Sequence, residues 1–270
     1  MDSSIPPLNI AQISDSHLYA DLDSGLYGLN SHHALREVVA LAAQRQPELL
    51  LLTGDLVHDE TATGYRHLRR AVAPLNAPGL CIPGNHDDLK LMREVFAEEA
   101  GLRCDKSIRL GNWQIILLNS QVAGKVSGYL AQEELDFLEL SLTKYPRHHA
   151  LVCMHHQPVA VGSQWLDQIG LANADQLFAV VDRHPQVKAL VWGHVHQAFD
   201  EQRNGVRLLA TPATCIQFKP KADEFALDLK TPGYRWFRLH QNGHLDSAVE
   251  RLQTMPGVLD VDAPGYAEDT

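Results

Sequence analysis

Five short groups of acidic, amide and imidazole residues carry side chains of the kind that bind divalent cations in proteins. The groups are Asp15-Ser16-His17, Gly54-Asp55-Leu56-Val57-His58-Asp59, Gly84-Asn85-His86-Asp87, His155-His156 and Gly193-His194-Val195-His196. Their carboxylate, carboxamide and imidazole groups form a ligand set of oxygen and nitrogen, which suits manganese, iron or zinc and differs from a thiolate zinc site. The residue types therefore predict a metal-dependent reaction.

The spacing within the groups also fits a metal site. In an extended chain, residues i and i+2 point to the same face. Asp15 and His17 are therefore expected to present two ligands in one direction, and so are His194 and His196. A glycine, which allows a tight turn or a close approach of backbone, immediately precedes a candidate ligand at Gly54, Gly84 and Gly193.

Short apolar runs must position these groups. The predicted strands cover residues 8–13, 49–52, 80–82, 113–118, 150–154, 187–192 and 207–210. Between them, apolar residues at helical spacing predict helices around residues 35–42, 89–100, 130–142 and 174–181. This alternation favours an α/β layered fold. Because ligands bind beyond the carboxyl ends of strands in open α/β sheets, the five groups are expected to converge on one rim.

The two ends of the chain differ from this pattern. Residues 234–240 and 244–249 flank Asn242-Gly243, which is a strong signal for a β-hairpin over about residues 234–250. Residues 1–254 are predicted to form a single domain, and residues 255–270, which are acidic and contain Pro and Gly, a flexible tail. The N-terminus lacks the basic and apolar regions of a signal peptide.

Composition limits the partners. The formal net charge of −10 and the lack of a Lys/Arg cluster argue against binding of nucleic acid. No apolar run approaches the length that spans a bilayer, so no membrane partner is expected. The four cysteines form no CxxC pair, which fits a reducing cytoplasm. An acidic protein should repel a phosphate group, and bound divalent cations would reverse that repulsion locally.

Each group alone has an ordinary explanation. One histidine among fifteen is more often a surface or core residue, and Gly-Asn-His-Asp can form a turn that caps a helix. All five together, each at the end of a predicted strand, favour one shared site. In this order they resemble the calcineurin-like metallophosphoesterase family, whose pattern is DxH, GDxxxD, GNHD, H and GHxH, from about residue 8 to residue 252. The resemblance implies a four-layer αββα sandwich of two mixed β-sheets flanked by helices.

The resemblance also implies which residues act. One cation would be held by Asp15, His17, Asp55 and His196, and the other by Asp55, Asn85, His155 and His194, with Asp55 as the bridge. Iron or manganese is implied, with zinc or cobalt as alternatives. Two metals about 4 Å apart would give a bridging hydroxide that attacks phosphorus in line. The residues implied to contact substrate are His17, Asp55, Asn85, His86, His155 and His196.

Some roles stay open. His86 is the best candidate to assist the leaving oxygen, together with Asp55 and Asn85 as catalytic residues. Asp59 and Asp87 either orient histidines or cap the following helices. His156 either supports the site or only packs locally.

Further segments narrow the substrate. Residues 118–122, 162–168 and 208–220, with the closing hairpin, resemble the bacterial class III 3′,5′-cyclic AMP phosphodiesterases within the family, which implies conversion of cyclic AMP to 5′-AMP. Gln157 and Asn119 depart from the relatives' residues, which puts loop shape in doubt. Trp165 or Phe218 could stack on a purine or pack internally. A broader phosphodiesterase or phosphomonoesterase, acting on glycerophosphodiesters or nucleotides, is the alternative. The oligomeric state stays open, with a homodimer as one option.

Overall fold

The structure is a computed structural model that describes residues 6–261. Its strands, in chain order, are β1 (Leu8–Ile13), β2 (Gly25–Leu26), β3 (Leu29–Asn30), β4 (Leu49–Thr53), β5 (Gly79–Ile82), β6 (Leu102–Arg103), β7 (Ser107–Leu110), β8 (Trp113–Leu117), β9 (His149–Cys153), β10 (Val187–Trp192), β11 (Phe199–Arg203), β12 (Val206–Ala210), β13 (Gln217–Phe218), β14 (Leu227–Asp228), β15 (Gly233–Leu239) and β16 (Leu245–Arg251). Its helices are α1 (Ser31–Ala43), α2 (Ala62–Val72), α3 (Leu89–Ala97), α4 (Gln132–Lys144), α5 (Gln164–Asp167) and α6 (Ala174–Val181).

Most strands belong to two six-stranded sheets. The first has the order β16-β15-β1-β4-β5-β6, in which β1, β4, β5 and β6 are parallel and β15 runs antiparallel to both of its neighbours, β1 and β16. The second has the order β11-β12-β10-β9-β8-β7, with antiparallel strands at both edges. Both sheets are therefore mixed, as the resemblance predicted.

Alternate residues of the strands pack into different apolar cores. Leu49 and Leu51 of β4 pack between the two sheets, whereas Leu50 and Leu52 pack with α1, α2 and α3. On the second sheet, residues such as Val152 pack with α4 and α6. The layers therefore run helix, sheet, sheet, helix, and the predicted four-layer sandwich is confirmed.

A buried arginine links the two sheets. Arg235 of β15 is 2% exposed and donates through Nη2 to the carbonyl oxygens of Ala210 and Phe199, which lie on β12 and β11. Its Nη1 donates to Ser247 Oγ. Burial lowers the pKa of Arg235 to about 10, and the guanidinium is held by neutral oxygens rather than by a carboxylate.

Most predicted elements are present. The bounds of β1, β10 and α6 match the prediction, whereas α3 ends three residues earlier than predicted. Helix α2 and the edge strands β7 and β11 were not predicted. The turn Gln241-Asn242-Gly243 joins β15 to β16, as predicted. The Asp260 N–H donates to the Tyr27 carbonyl, so the described part of the predicted tail contacts an earlier part of the chain. Residues 262–270 of that tail lie outside the described residues. Within residues 6–261, no helix has the length and apolar character needed to cross a membrane.

Candidate metal centre

The candidate ligands lie in turns just beyond their strands. Five of them have a positive φ: Asp15 (54°), His17 (42°), Asp55 (49°), His194 (64°) and His196 (47°). The prediction that the DxH and HxH pairs lie on extended chain is therefore wrong; each pair alternates through the left-handed region instead. Such residues cost about 1–3 kcal/mol each and cluster at functional sites. Tertiary contacts must hold them there.

Hydrogen bonds tie the turns to one another. The Asp15 N–H donates to the Gly54 carbonyl at 3.0 Å, and the His17 N–H donates to the Asp55 carbonyl at 2.9 Å. The His194 N–H reaches across from the second sheet to Asp15 Oδ1 at 2.9 Å. The two sheets therefore meet at this rim.

Three glycines leave room for the ligands. A Cβ at Gly84 would lie 2.1 Å from Asp55 Oδ1, and one at Gly54 would lie 2.3 Å from His155 Nδ1. A Cβ at Gly193 would lie 2.7 Å from Asp15 Oδ2. Any other residue at these positions would place its Cβ against the candidate ligands. The close approach of backbone that the three glycines predicted is therefore present.

Three candidate ligands converge near Asp55. His17 Nε2 lies 3.7 Å from Asp55 Oδ2 and 3.2 Å from His196 Nε2. His196 Nε2 is in turn 3.6 Å from Asp15 Oδ1. His196 Nδ1 faces the Ile216 carbonyl at 2.9 Å, so Nδ1 carries the proton and Nε2 carries a lone pair.

The remaining candidates also lie around Asp55. His155 Nε2 is 3.3 Å from Asp55 Oδ2, and its Nδ1 donates to the Thr53 carbonyl at 2.8 Å. The His155 and His194 rings have centroids 5.0 Å apart. The His86 N–H, next to Asn85, donates to Asp55 Oδ1 at 2.9 Å.

Unpaired polar atoms show that this donor set fits bound cations. Among the described residues, four buried candidate atoms have no hydrogen-bond partner: Asp15 Oδ2, Asn85 Oδ1, His155 Nε2 and His194 Nε2. Burial without a partner costs about 1–3 kcal/mol per group. His17 Nε2 and His196 Nε2 also face each other, and a cation between them would relieve lone-pair repulsion. The residues present therefore suit divalent cations.

The buried groups shift one another's pKa values. Burial raises the pKa of Asp15 to about 7, against the opposing effect of His155. Burial would also raise the pKa of Asp55, but His155 outweighs it and holds that pKa well below its ordinary value. Burial opposes the charge on His155, yet Asp55 raises the pKa of His155 to about 9. Perturbed groups of this kind concentrate at functional sites.

His58 lies in the site although the sequence did not single it out. His58 Nδ1 lies 3.0 Å from His17 Nδ1, and the His58 ring stacks on His86 with centroids 4.6 Å apart. Burial lowers the pKa of His58 to about 4, so its ring stays neutral and its Nδ1 can accept a hydrogen bond from His17 Nδ1–H. Its position in the GDxxxD group was the available signal.

Asp59 and Asp87 have neither role that the sequence allowed. Asp87 accepts from the backbone N–H groups of Leu56, Val57 and Gly84 and from Tyr65 Oη, so it ties the β4 turn to the β5 turn. Asp59 accepts from the Ala20 N–H and from Thr61 Oγ1. The caps of α2 and α3 are Thr61 and Asp88.

His156 and the two aromatic candidates lie around the ligands. His156 bonds Ser120 Oγ and the Val126 carbonyl and packs on His194. The Phe218 ring, 4% exposed, stacks on His196 with centroids 4.2 Å apart, so it is not open to a purine. Trp165 packs edge-on against Phe218.

Comparison with known proteins defines the class of enzyme to which this chain belongs. The calcineurin-like phosphoesterase family matches residues 8–198, and the chain belongs to this family. It is therefore an enzyme that hydrolyses phosphoesters. Phosphoesterases of this family use a dinuclear centre of divalent cations, and His/Asp clusters that could hold cations are present in this chain.

Two curated relatives match nearly the whole chain. The chain is 41% identical to "3′,5′-cyclic adenosine monophosphate phosphodiesterase CpdA" of Pseudomonas aeruginosa, over 95% of this chain and 94% of that protein. It is 39% identical to "3′,5′-cyclic-nucleotide phosphodiesterase alr5338" of a Nostoc species, over 91% of this chain and 93% of that one. A solved dimetal phosphatase from Danio rerio shares the fold, with a TM-score of 0.65 at 14% identity, over 92% and 99% of the two chains.

Proposed function

We propose that this chain hydrolyses 3′,5′-cyclic AMP to 5′-AMP at the rim around Asp55, with two divalent cations. The observation that carries the proposal is the set of four buried candidate ligand atoms without hydrogen-bond partners, among the residues gathered around the Asp55 carboxylate. Relatives that match nearly the whole chain are named cyclic-nucleotide phosphodiesterases, which supports this substrate.

The proposed ligands are the seven residues named from the sequence: Asp15, His17, Asp55, Asn85, His155, His194 and His196. Bound there, two divalent cations would supply a hydroxide near neutral pH and an excess of positive charge for the phosphate. Asp55 faces both imidazole sets with Oδ2, which suits a bridging carboxylate. Donation from His155 Nδ1 to the Thr53 carbonyl fixes the tautomer that turns Nε2 toward the centre.

His86 is proposed to assist the leaving group. Cleavage of the bond between phosphorus and O3′ leaves an alkoxide, which needs a proton. His86 is half-buried, and its backbone N–H is held by Asp55 while its ring is held between His17 and His58. Its imidazole is therefore fixed beside the ligands, where it could contact phosphate and protonate O3′. Asn85 and Asp55 would position the same phosphate.

We also propose the metal and the setting of the reaction. The oxygen and nitrogen ligand set supports iron or manganese, with zinc or cobalt as alternatives. Four free cysteines support a cytoplasmic location. The net charge of −10 supports a small nucleotide substrate rather than nucleic acid.

A substrate panel tests the proposal. The protein reconstituted with manganese or iron would be assayed with cyclic AMP, cyclic GMP, a bis-ester, a nucleotide monoester and a glycerophosphodiester, and kcat/KM compared. Asn85→Ala provides the control for contaminating activity. We expect the highest kcat/KM with cyclic AMP and 5′-AMP as the product. A higher kcat/KM for a monoester or a glycerophosphodiester would replace this function with the broader alternative, and no turnover with any metal would refute it.

A further inference from the structure

A second cluster of metal-binding side chains lies at the tip of the closing hairpin. The His240 N–H donates to the His244 carbonyl at 2.9 Å, so these residues face each other across the turn. The next pair inward is Leu239 with Leu245, and both are buried. Because side chains alternate along a strand, His240, His244 and Asp246 project from the opposite, outward face.

Their ligand atoms already converge. His240 Nε2 lies 2.7 Å from Asp246 Oδ2, and His244 Nε2 lies 2.9 Å from Asp246 Oδ1. One ligand atom from each of the three residues lies within 4.8 Å of the others. In a tetrahedral zinc site with bonds of about 2.0–2.1 Å, ligand atoms are about 3.3 Å apart. Small side-chain movements would therefore admit a cation.

The cluster is separate from the candidate metal centre. Leu239, at the end of β15, pairs with Leu8, the first residue of β1, whereas the candidate ligands follow the last residue of β1. Trp113, the first residue of β8, donates through Nε1 to the His240 carbonyl at 2.8 Å. The two sites thus lie at opposite ends of the parallel strands.

We propose that His240, His244 and Asp246 form a surface site for a divalent transition-metal cation such as Zn²⁺. Two imidazoles and one carboxylate are a common three-residue zinc set that leaves a position for water. The side chains are 35%, 63% and 42% exposed, so solvent can supply that ligand. Hydrogen bonds from the histidines hold the pKa of Asp246 below its ordinary value, which keeps the carboxylate ionised.

A bound cation would also act on the fold. The turn touches the second sheet through the Trp113 bond and through Asn112 Nδ2, which donates to the Gln241 carbonyl at 3.2 Å. Cross-linking His240 to His244 would hold the turn in the conformation that makes these contacts. Binding only to the folded protein stabilises it by mass action.

The test compares metal stoichiometry in matched variants. The manganese-loaded enzyme, parent and His244→Asn, would be titrated with Zn²⁺, and the zinc bound per chain counted after rapid desalting. Exchange at the candidate metal centre is common to both proteins. We expect the parent to bind one more equivalent than His244→Asn, and Asp246→Asn to bind that equivalent at least 10-fold more weakly. Phosphodiesterase activity should stay within 2-fold in both variants. Equal stoichiometry in parent and His244→Asn would overturn the proposal.

An independent measurement uses Cu²⁺ as the probe. With enough Cu²⁺ added to fill every site of the manganese-free protein, the electron paramagnetic resonance spectrum should contain a component coupled to two imidazole nitrogens. The same protein carrying His240→Asn should lose this component. An unchanged spectrum would place the copper elsewhere and refute the site.

Discussion

Adding one methyl group at Gly84 should disable the metal centre while leaving the protein folded. An ideal Cβ there would lie 2.1 Å from Asp55 Oδ1, 2.4 Å from the Asp55 backbone nitrogen and 2.7 Å from His155 Nε2. Real Cβ contacts are essentially never below 3.0 Å, so the Asp55 carboxylate must move by about 1 Å. A misplacement of about 1 Å can cost about 10²-fold in rate, which corresponds to about 2.7 kcal/mol.

Gly79→Ala, on strand β5 just before the turn that contains Gly84, is the matched control. Its Cβ would meet only the flexible end of a side chain at close range, Leu102 Cδ2 at 2.5 Å. Both variants should lose about 1–3 kcal/mol of unfolding free energy through overpacking. Only Gly84→Ala should lose metal content and at least about 10²-fold in kcat/KM for cyclic AMP. Parent-like activity and metal content in Gly84→Ala, or an equal loss in Gly79→Ala, would refute the reasoning.

Three further predictions separate the roles of other groups. His58→Asn keeps an acceptor for His17, so it should retain metal affinity and lose kcat. His58→Phe keeps a ring stacked on His86 but no acceptor, so it should lose at least about 10-fold in metal affinity. Equal effects of the two substitutions in metal titrations and kinetics would contradict this. Arg235→Ala should lower the free energy of unfolding, measured in urea, by about 2–5 kcal/mol, because it leaves a cavity and unpaired carbonyls between the sheets. A loss below about 1 kcal/mol would count against Arg235 as a link between the sheets. Chelation should lower the Tm of the parent more than that of Asp55→Ala, and equal shifts would show that the centre does not stabilise the fold.

The central strands could be predicted because burial on both faces makes them apolar throughout. Runs such as residues 187–192 have no competing helical period, and β10 has these bounds. Since parallel strands share one carboxyl edge, the motifs that follow them could be placed together before the turns were known. The candidate ligand atoms gathered around Asp55 lie at that edge of the sheets.

The rest depended on contacts between distant residues. Helix α2 is mostly polar and buries a narrow stripe around Tyr65 and Leu68, so its apolar signal is weak. The edge strand β11 is exposed along most of its length. The bond between His17 and His58 spans 41 residues and needs His17 in a left-handed turn. Neither the turn nor the partner can be read from the spacing of a motif.

Anomalous diffraction from crystals of the active protein tests the central claim most directly. Data collected at the absorption edges of manganese and iron would locate bound cations without reference to activity. We expect two peaks about 3.5–4 Å apart, one on each side of the Asp55 carboxylate, with His17 and His196 at one and His155 and His194 at the other. An active protein with no peak beside Asp55, or with a single cation there at full occupancy, would contradict a dinuclear centre.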